Sequence, residues 1–284
     1  MSRETWMERA FELAERGRYS VSPNPMVGAV IVKNGRVVGE GWHRRAGGPH
    51  AEVVALRKAG ARARGADLYV TLEPCVHHGR TLPCTDALVA AGVRRVIFAS
   101  RDPDPRVAGR GARALRRAGI LAAAGTPGER SRARRQNEKF FVSVTRHRPF
   151  VLAKWAASLD GKIASASGES RWITGRAARR RAMLLREELD AVLVGAGTVA
   201  TDDPLLTRRL GVNRATPHCR IVLDGRLTAP SGSSLFRRPR GVIVATALPG
   251  SHPKARRLAR LGVEVWSLRG QRPGEVDLRR LLAN

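Results

Sequence analysis

The stretch His50-Ala51-Glu52, followed by Glu73-Pro74-Cys75 and then Pro83-Cys84, constrains the fold of this chain more than any other. One imidazole and two thiolates lie on three separate segments, and they can serve a single ion only if the chain brings those segments together. Zinc takes nitrogen and sulfur ligands in a tetrahedron, and three protein ligands leave its fourth position to water. Such a water approaches a pKa of about 7 and supplies hydroxide at neutral pH. Glu52 then stands where it can take that water's proton and pass it to a ring nitrogen and a leaving amine. A general acid–base of this kind contributes roughly 10²–10⁴-fold in rate.

A His-x-Glu pair followed by Pro-Cys-x-x-Cys marks the zinc-dependent nucleobase deaminases. Here the two cysteines are nine positions apart instead of three. The blander alternative is a structural zinc knot, closed by His77 or His78, or no metal at all. The glutamate and the two Pro-Cys pairs favour the catalytic reading.

A chain of 284 residues is long enough for two domains with separate cores. It has no run of about 18 apolar residues, so no membrane span is expected. The first residues are amphipathic and carry acids, with no apolar signal region, which places the chain in the cytoplasm. Cys75, Cys84 and Cys219 are the only cysteines, too few for a disulfide framework and in keeping with a reducing compartment. Cys219 heads the apolar run Cys219-Arg220-Ile221-Val222-Leu223 and reads as a buried structural thiol. The formal charge is +28, and of the 52 basic side chains only six are lysines. The arginines are scattered along the whole length and aromatic residues are few. A solvated basic surface that attracts a phosphorylated small substrate therefore fits better than nucleic-acid binding.

Hydrophobic periodicity predicts a helix over 4–16 and a hairpin of 26–32 with 36–43 across the turn Asn34-Gly35. A helix over 51–60, a strand over 68–71 and a helix over 85–91 stopping at Gly92 follow. Next come a strand at 96–99, a helix over 110–118, a strand at 120–124 and one charged helix over 129–143. This alternation implies a mixed sheet with helices on both faces. The metal-ligand candidates fall where strands hand over to helices, where helix N-termini lower thiol pKa values. The pattern starts afresh after residue 145, giving domains 1–145 and 146–284. The second has a strand over 150–155, a Gly/Ser-rich loop over 160–170 and a helix near 175–188. Its remaining strands are at 190–194, 219–223, 241–246 and 263–266.

Val21-Ser22-Pro23-Asn24-Pro25-Met26-Val27-Gly28-Ala29-Val30, the His43…Pro49-His50-Ala51-Glu52 segment and the long cysteine loop from Glu73 to Cys84 resemble the bacterial bifunctional riboflavin-biosynthesis deaminase–reductases. The second half is similar to the same family through KWAASLDGKI (154–163), Gly168-Glu169-Ser170 with Trp172-Ile173-Thr174, and GAGTVATDDPLLT (195–207). The resemblance implies an α/β chain: a cytidine-deaminase-like three-layer α/β/α domain, then a dihydrofolate-reductase-like α/β domain. It implies deamination of 2,5-diamino-6-hydroxy-4-(5-phosphoribosylamino)pyrimidine, then NADPH reduction of 5-amino-6-(5-phosphoribosylamino)uracil to the ribitylamino product. One zinc ion per chain would lie on His50, Cys75 and Cys84, with Glu52 catalytic. Asn24, His43, His77, Arg80 and Asp102 would bind the first substrate. An amide can read a pyrimidine edge, and an arginine and an imidazole suit a phosphate. NADPH would meet Ala156, Trp172, Thr198 and Asp202, and the second substrate Ser170, Arg186, Leu206 and Arg209. The partner is a phosphoribosyl-pyrimidine small molecule, in a homo-oligomer, with no nucleic acid and no membrane. Asp202-Asp203-Pro204 also invites a metal reading, which fails for want of a third oxygen ligand nearby in sequence.

Val76 and Leu82 stand where the family pattern has a small polar residue and a proline. Asp104, in Asp102-Pro103-Asp104-Pro105, replaces an asparagine and brings a second carboxylate to the substrate loop. After 276–282 (VDLRRLL) the sequence stops short of the family's Val-Glu-Gly-Gly strand. The second domain therefore reads as truncated, with an intact deaminase and a reductase that is impaired or completed by another chain. The rivals are a deaminase-only enzyme, a tRNA or free-base deaminase, and a non-catalytic zinc-stabilised binding protein.

Overall fold

The computed structural model describes residues 3–76, 82–213 and 216–283. The chain divides into two compact units, Met1–Phe150 and Val151–Asn284.

The first unit contains helices α1 (Arg3–Glu15), α2 (Ala51–Ala59), α3 (Cys84–Ala90), α4 (Arg110–Arg117), α5 (Pro127–Gln136) and α6 (Glu138–Arg146). Its strands are β1 (Gly28–Lys33), β2 (Arg36–Trp42), β3 (Asp67–Leu72), β4 (Arg95–Ser100) and β5 (Leu121–Ala124), in the sheet order β2-β1-β3-β4-β5. β1 runs antiparallel to β2 and β3, while β3, β4 and β5 are parallel, so the sheet is mixed. Asn34 and Gly35 both take positive φ, the geometry a two-residue hairpin turn demands.

Alternation along the strands builds two cores. Ala29, Ile31, Leu68, Val70, Val96 and Phe98 face α2, α3 and α4. Val30, Val32, Tyr69, Ile97 and Ala99 face Met7, Phe11 and Leu13 of α1 and Ala133 of α5. Successive side chains of a strand point to opposite faces, so near-continuous apolar runs fill both layers at once. The result is the expected three-layer α/β/α arrangement.

α2 lies unusually close to β2. A Cβ added at Gly39 would meet the Ala55 carbonyl at 2.4 Å, and one at Gly41 the Ala51 carbonyl at 2.3 Å. Those two glycines set the height of α2 above the sheet, and with it the height of His50 and Glu52 at its N-terminal end.

The single helix expected over 129–143 is two helices. Asn137 leaves the helical conformation because its side chain is engaged elsewhere. Its Oδ1 accepts from Met26 N at 2.7 Å, and its Nδ2 donates to Met26 O at 2.9 Å. Both bonds are buried, and they outweigh the continuity of the helix.

The second unit holds a parallel sheet of β6 (Ala191–Gly195), β7 (Cys219–Leu223), β8 (Val242–Thr246) and β9 (Glu264–Ser267) in sequential order. With it run α7 (Arg176–Glu188), α8 (Ala196–Asp202), α9 (Pro253–Arg260) and α10 (Leu278–Ala283). Val222, Val242 and Val244 pack with α8 and α9, and Ala245 packs with Leu281 of α10 on the other face. Periodicity missed the three short helices α8, α9 and α10. The strand expected over 150–155 does not form: no ladder includes these residues, and Trp155 is 75% exposed. An apolar run becomes a strand only when another strand offers it hydrogen bonds, and none among the described residues does so. No described helix is long and apolar enough to cross a membrane.

Candidate active site

His50 is the residue immediately before α2, Cys75 follows the end of β3, and Cys84 opens α3. Their ligand atoms all lie within 4.8 Å of one another. The His50 Nδ1 is 3.1 Å from the Cys84 sulfur and 3.5 Å from that of Cys75, and the Cys84 amide points at the Cys75 sulfur at 3.3 Å. Two sulfurs and one imidazole nitrogen form a donor set that suits zinc, and among the described residues only these three form such a cluster. The hydrogen bond from Cys84 holds Cys75 far below the usual thiol range, and the same bond, with burial, pushes Cys84 far above it. The nearby Cys75 sulfur draws the His50 pKa upward.

Glu52 is buried in the first turn of α2. Burial raises its pKa, and the neighbouring His50 opposes part of that rise. A carboxyl group raised by burial holds its proton more readily than an exposed one.

Glu52, His50 and Cys75 line a cavity of about 430 Å³ together with Asn24, His43, Glu73, Asp102, Asp104, Arg106 and Phe140. His43 Nδ1 faces the Pro49 carbonyl at 3.1 Å, and since a carbonyl only accepts, Nδ1 carries the hydrogen. Its Nε2 is thus an acceptor and takes a hydrogen bond from Asn24 Nδ2 at 3.0 Å. Burial lowers the His43 pKa and keeps the ring neutral. The pair fixes the Asn24 amide with its nitrogen on the histidine.

The opposite wall is the loop between β4 and α4. Asp102 accepts from the Asp104 amide at 2.8 Å, and its pKa is pushed up to about 7 by burial and then by the charges of Asp104, Glu73 and Cys75. Asp104 is gripped by Arg106, with Nε 3.0 Å from each carboxylate oxygen and Nη2 2.6 Å from one of them. The additional carboxylate noted in the sequence is therefore neutralised by its neighbour. His77 and Arg80 lie outside the described residues.

In the second unit the candidates are less gathered. Ala156, Ser170 and Trp172 sit in irregular chain, and Trp172 is 71% exposed with the Arg179 guanidinium 4.3 Å from its ring centre. Thr198 and Asp202 ride on the exposed side of α8. Leu206 is buried, Arg186 is on α7, and the loop of Arg209 is organised by a residue that sequence reasoning missed. Glu187 is fully buried and accepts from the backbone amides of Arg209 at 2.9 Å, Leu210 at 2.8 Å and Asn213 at 3.2 Å. Burial would raise its pKa, but these three donors and the nearby Arg208 outweigh that and lower it. Arg186 is held partly buried beside Arg209, and burial and then that like charge depress its pKa. Two guanidiniums brought together in this way favour an anion between them.

Glu73, Arg106, Phe140 and Glu187 were not singled out from sequence. Glu73 stands in the quoted Glu-Pro-Cys motif, and its adjacency to Cys75 was the one available signal.

Residues 1–100 match the family model of the cytidine and deoxycytidylate deaminase zinc-binding region, and residues 149–284 that of the RibD C-terminal domain. The riboflavin biosynthesis protein RibD of Aquifex aeolicus is 45% identical over 267 residues, covering 94% of this chain and 74% of the relative. The structure of Acinetobacter baumannii RibD superposes with a TM-score of 0.85 at 44% identity, covering 99% of this chain and 76% of that one. A Thermotoga maritima protein, described as a diaminohydroxyphosphoribosylaminopyrimidine deaminase/5-amino-6-(5-phosphoribosylamino)uracil reductase, gives 0.84 at 41% identity, covering 99% of this chain and 76% of that one. With a zinc-binding deaminase region ahead of a reductase region, this chain belongs to the RibD family of bacterial bifunctional deaminase–reductases of riboflavin biosynthesis.

Proposed function

We propose that the first unit hydrolytically deaminates 2,5-diamino-6-hydroxy-4-(5-phosphoribosylamino)pyrimidine and that the second reduces the resulting 5-amino-6-(5-phosphoribosylamino)uracil with NADPH. The observation that carries the first step is the convergence of His50, Cys75 and Cys84 beside buried Glu52 in one cavity. These three side chains would hold one zinc ion per chain, which lowers the pKa of a water at its remaining position to about 7. Glu52 takes one proton from the attacking water and delivers it to the ring nitrogen, then passes the added hydroxyl's remaining proton to the amine, which leaves as ammonia when the C–N bond breaks. Asn24 turns its carbonyl oxygen to the ring edge because His43 occupies its nitrogen. Asp102, titrating at about 7, is the polar group on the opposite wall that can accept from an exocyclic amine.

For the second step the geometry supports substrate binding more than hydride transfer. Arg186 on α7 and Arg209 on the loop that Glu187 pins offer the paired positive charge that a sugar phosphate needs. By family likeness Ala156, Trp172, Thr198 and Asp202 are the residues for NADPH. A second reading, deamination without reduction, is favoured by the exposure of Trp155 and Trp172.

The test supplies the diamino-pyrimidine phosphate with NADPH and follows ammonia release and NADPH oxidation separately. Ammonia with matching oxidation supports both steps, and ammonia alone supports the second reading. No ammonia from zinc-loaded protein refutes the proposal.

A further inference from the structure

We propose that Glu73 is a positioning residue that clamps both ends of the substrate loop and so sets the spacing between the metal-ligand segment and the opposite cavity wall. The inference rests on the deaminase reading of this cavity.

Glu73 follows directly on β3 and precedes Cys75 by two residues, so it is fixed to the segment that carries one metal ligand. Its backbone amide donates to the Ser100 carbonyl at 2.9 Å, which fastens the point where the loop leaves β4. Its side chain reaches the loop's other end. Oε2 accepts from the Gly109 amide at 2.9 Å, and Oε1 accepts from the Ala112 amide at 2.9 Å. Between these anchors lie Asp102, Asp104, Arg106 and Val107, all of which line the cavity.

α4 cannot cap itself. The residue at its N-cap is Gly109, in the left-handed region with φ of 74°, and it has no side chain to offer. A helix start with unsatisfied amides needs an acceptor, and a carboxylate there gains from the helix dipole as well. Glu73 supplies both from a distant strand, which accounts for a carboxylate that is only 3% exposed. The approach is tight: a Cβ added at Gly111 would meet the Pro74 carbonyl at 2.2 Å and Glu73 Cγ at 3.0 Å. Glycine at 111 is therefore what lets α4 dock on the Glu-Pro-Cys segment.

A clamp of this kind acts on the wall and leaves the reacting groups alone. Loosening it removes substrate contacts made equally in the ground and transition states, which raises KM and leaves kcat nearly unchanged. Two substitutions attack the same contact from its two sides. Glu73→Gln loses one acceptor, and Gly111→Ala forces the helix off the segment.

The experiment uses the zinc-loaded full chain. In each variant KM for the diamino-pyrimidine phosphate is expected to rise at least about fivefold, with kcat within about twofold and zinc content unchanged. Amide exchange, read without substrate, is expected to speed up in peptides covering 101–112 and to stay unchanged in those covering α3. Leu115→Ala serves as the control: it destabilises the same helix from its buried side and should lower Tm without moving KM. Unchanged KM in either folded variant, loss of zinc, or exchange in 101–112 at the wild-type rate overturns the proposal. If Glu73→Gln fails to fold, Gly111→Ala decides. Because exchange needs no substrate, it still tests the clamp if the wild-type enzyme proves not to act on this pyrimidine.

Discussion

The two units handle their candidate residues in opposite ways. In the first, charged and ligand-type side chains are buried between two packed cores: Glu52, Glu73 and His43 are each 3% exposed. In the second, Ser170, Trp172, Thr198, Asp202 and Arg209 are exposed and Arg186 is half-buried, while Leu206 and the neighbouring Glu187 are buried. Buried polar groups must be fully partnered, so a buried site is held rigid by its own hydrogen bonds. An open site is only as ordered as the loop that carries it. The difference teaches that the metal-ligand cluster is gathered by the packing of one unit, while in the other the loop of Arg209 is held by the buried acid Glu187.

Breaking the metal cluster gives the sharpest separation. Cys84→Ala is expected to abolish zinc retention and ammonia release together, while NADPH oxidation persists when the deaminated uracil is supplied. Metal analysis beside the two assays checks this. Glu52→Gln comes next, with ammonia release falling by about 10²–10⁴-fold at unchanged zinc content. Should activity survive that change, the proton-transfer role of Glu52 is wrong.

Glu187→Ala perturbs the other half. It strips three backbone amides of their acceptor, at about 1–3 kcal/mol for each buried group left unsatisfied. Weakened binding of the uracil substrate at Arg186 and Arg209 is expected, with ammonia release untouched. A change in both activities would show that the two halves are not independent in this respect.

The smallest effect is a pH dependence of opposite sign in the two units. Asp102 has its pKa raised to about 7 in the folded chain, so it binds more protons folded than unfolded. Its contribution to stability is fully present below its unfolded value and is lost as pH rises through about 7. Glu187 is depressed, so its contribution is present above the ordinary carboxylate range and is lost as pH falls through its lowered pKa. Thermal melts of Asp102→Asn and Glu187→Gln against pH should each flatten one of these two limbs.

Much of the first unit was legible because its signals are local. Asn34-Gly35 specifies a hairpin turn, the apolar runs specify strands covered on both faces, and His-Ala-Glu places a ligand and an acid on one helix turn. The groups that hold the site together left no such trace. Asn137 falls inside the one helix expected over 129–143 until Met26 is seen beside it, Glu187 falls inside the helix near 175–188, and Glu73 has only its place beside Cys75 until the backbone amides it serves are known. Partners distant in sequence have no period to betray them. The apolar stretch at 150–155 failed for the complementary reason: composition sets strand propensity, but pairing requires a second strand. Asp104 reads from the sequence as an extra carboxylate, and its neutralisation lies in the short distances to Arg106 two residues on.

The two bonds between Asn137 and the backbone of Met26 also bear on biosynthesis. A ribosome delivers the chain from its N-terminus, and domains begin to form as they emerge. The cavity wall beside Asn24 and Pro25 is stapled by an amide that is translated 111 positions after Met26. Strands and zinc-ligand residues can therefore emerge well before the pocket closes, and a nascent chain stalled ahead of Asn137 would carry all three metal ligands without a finished binding surface.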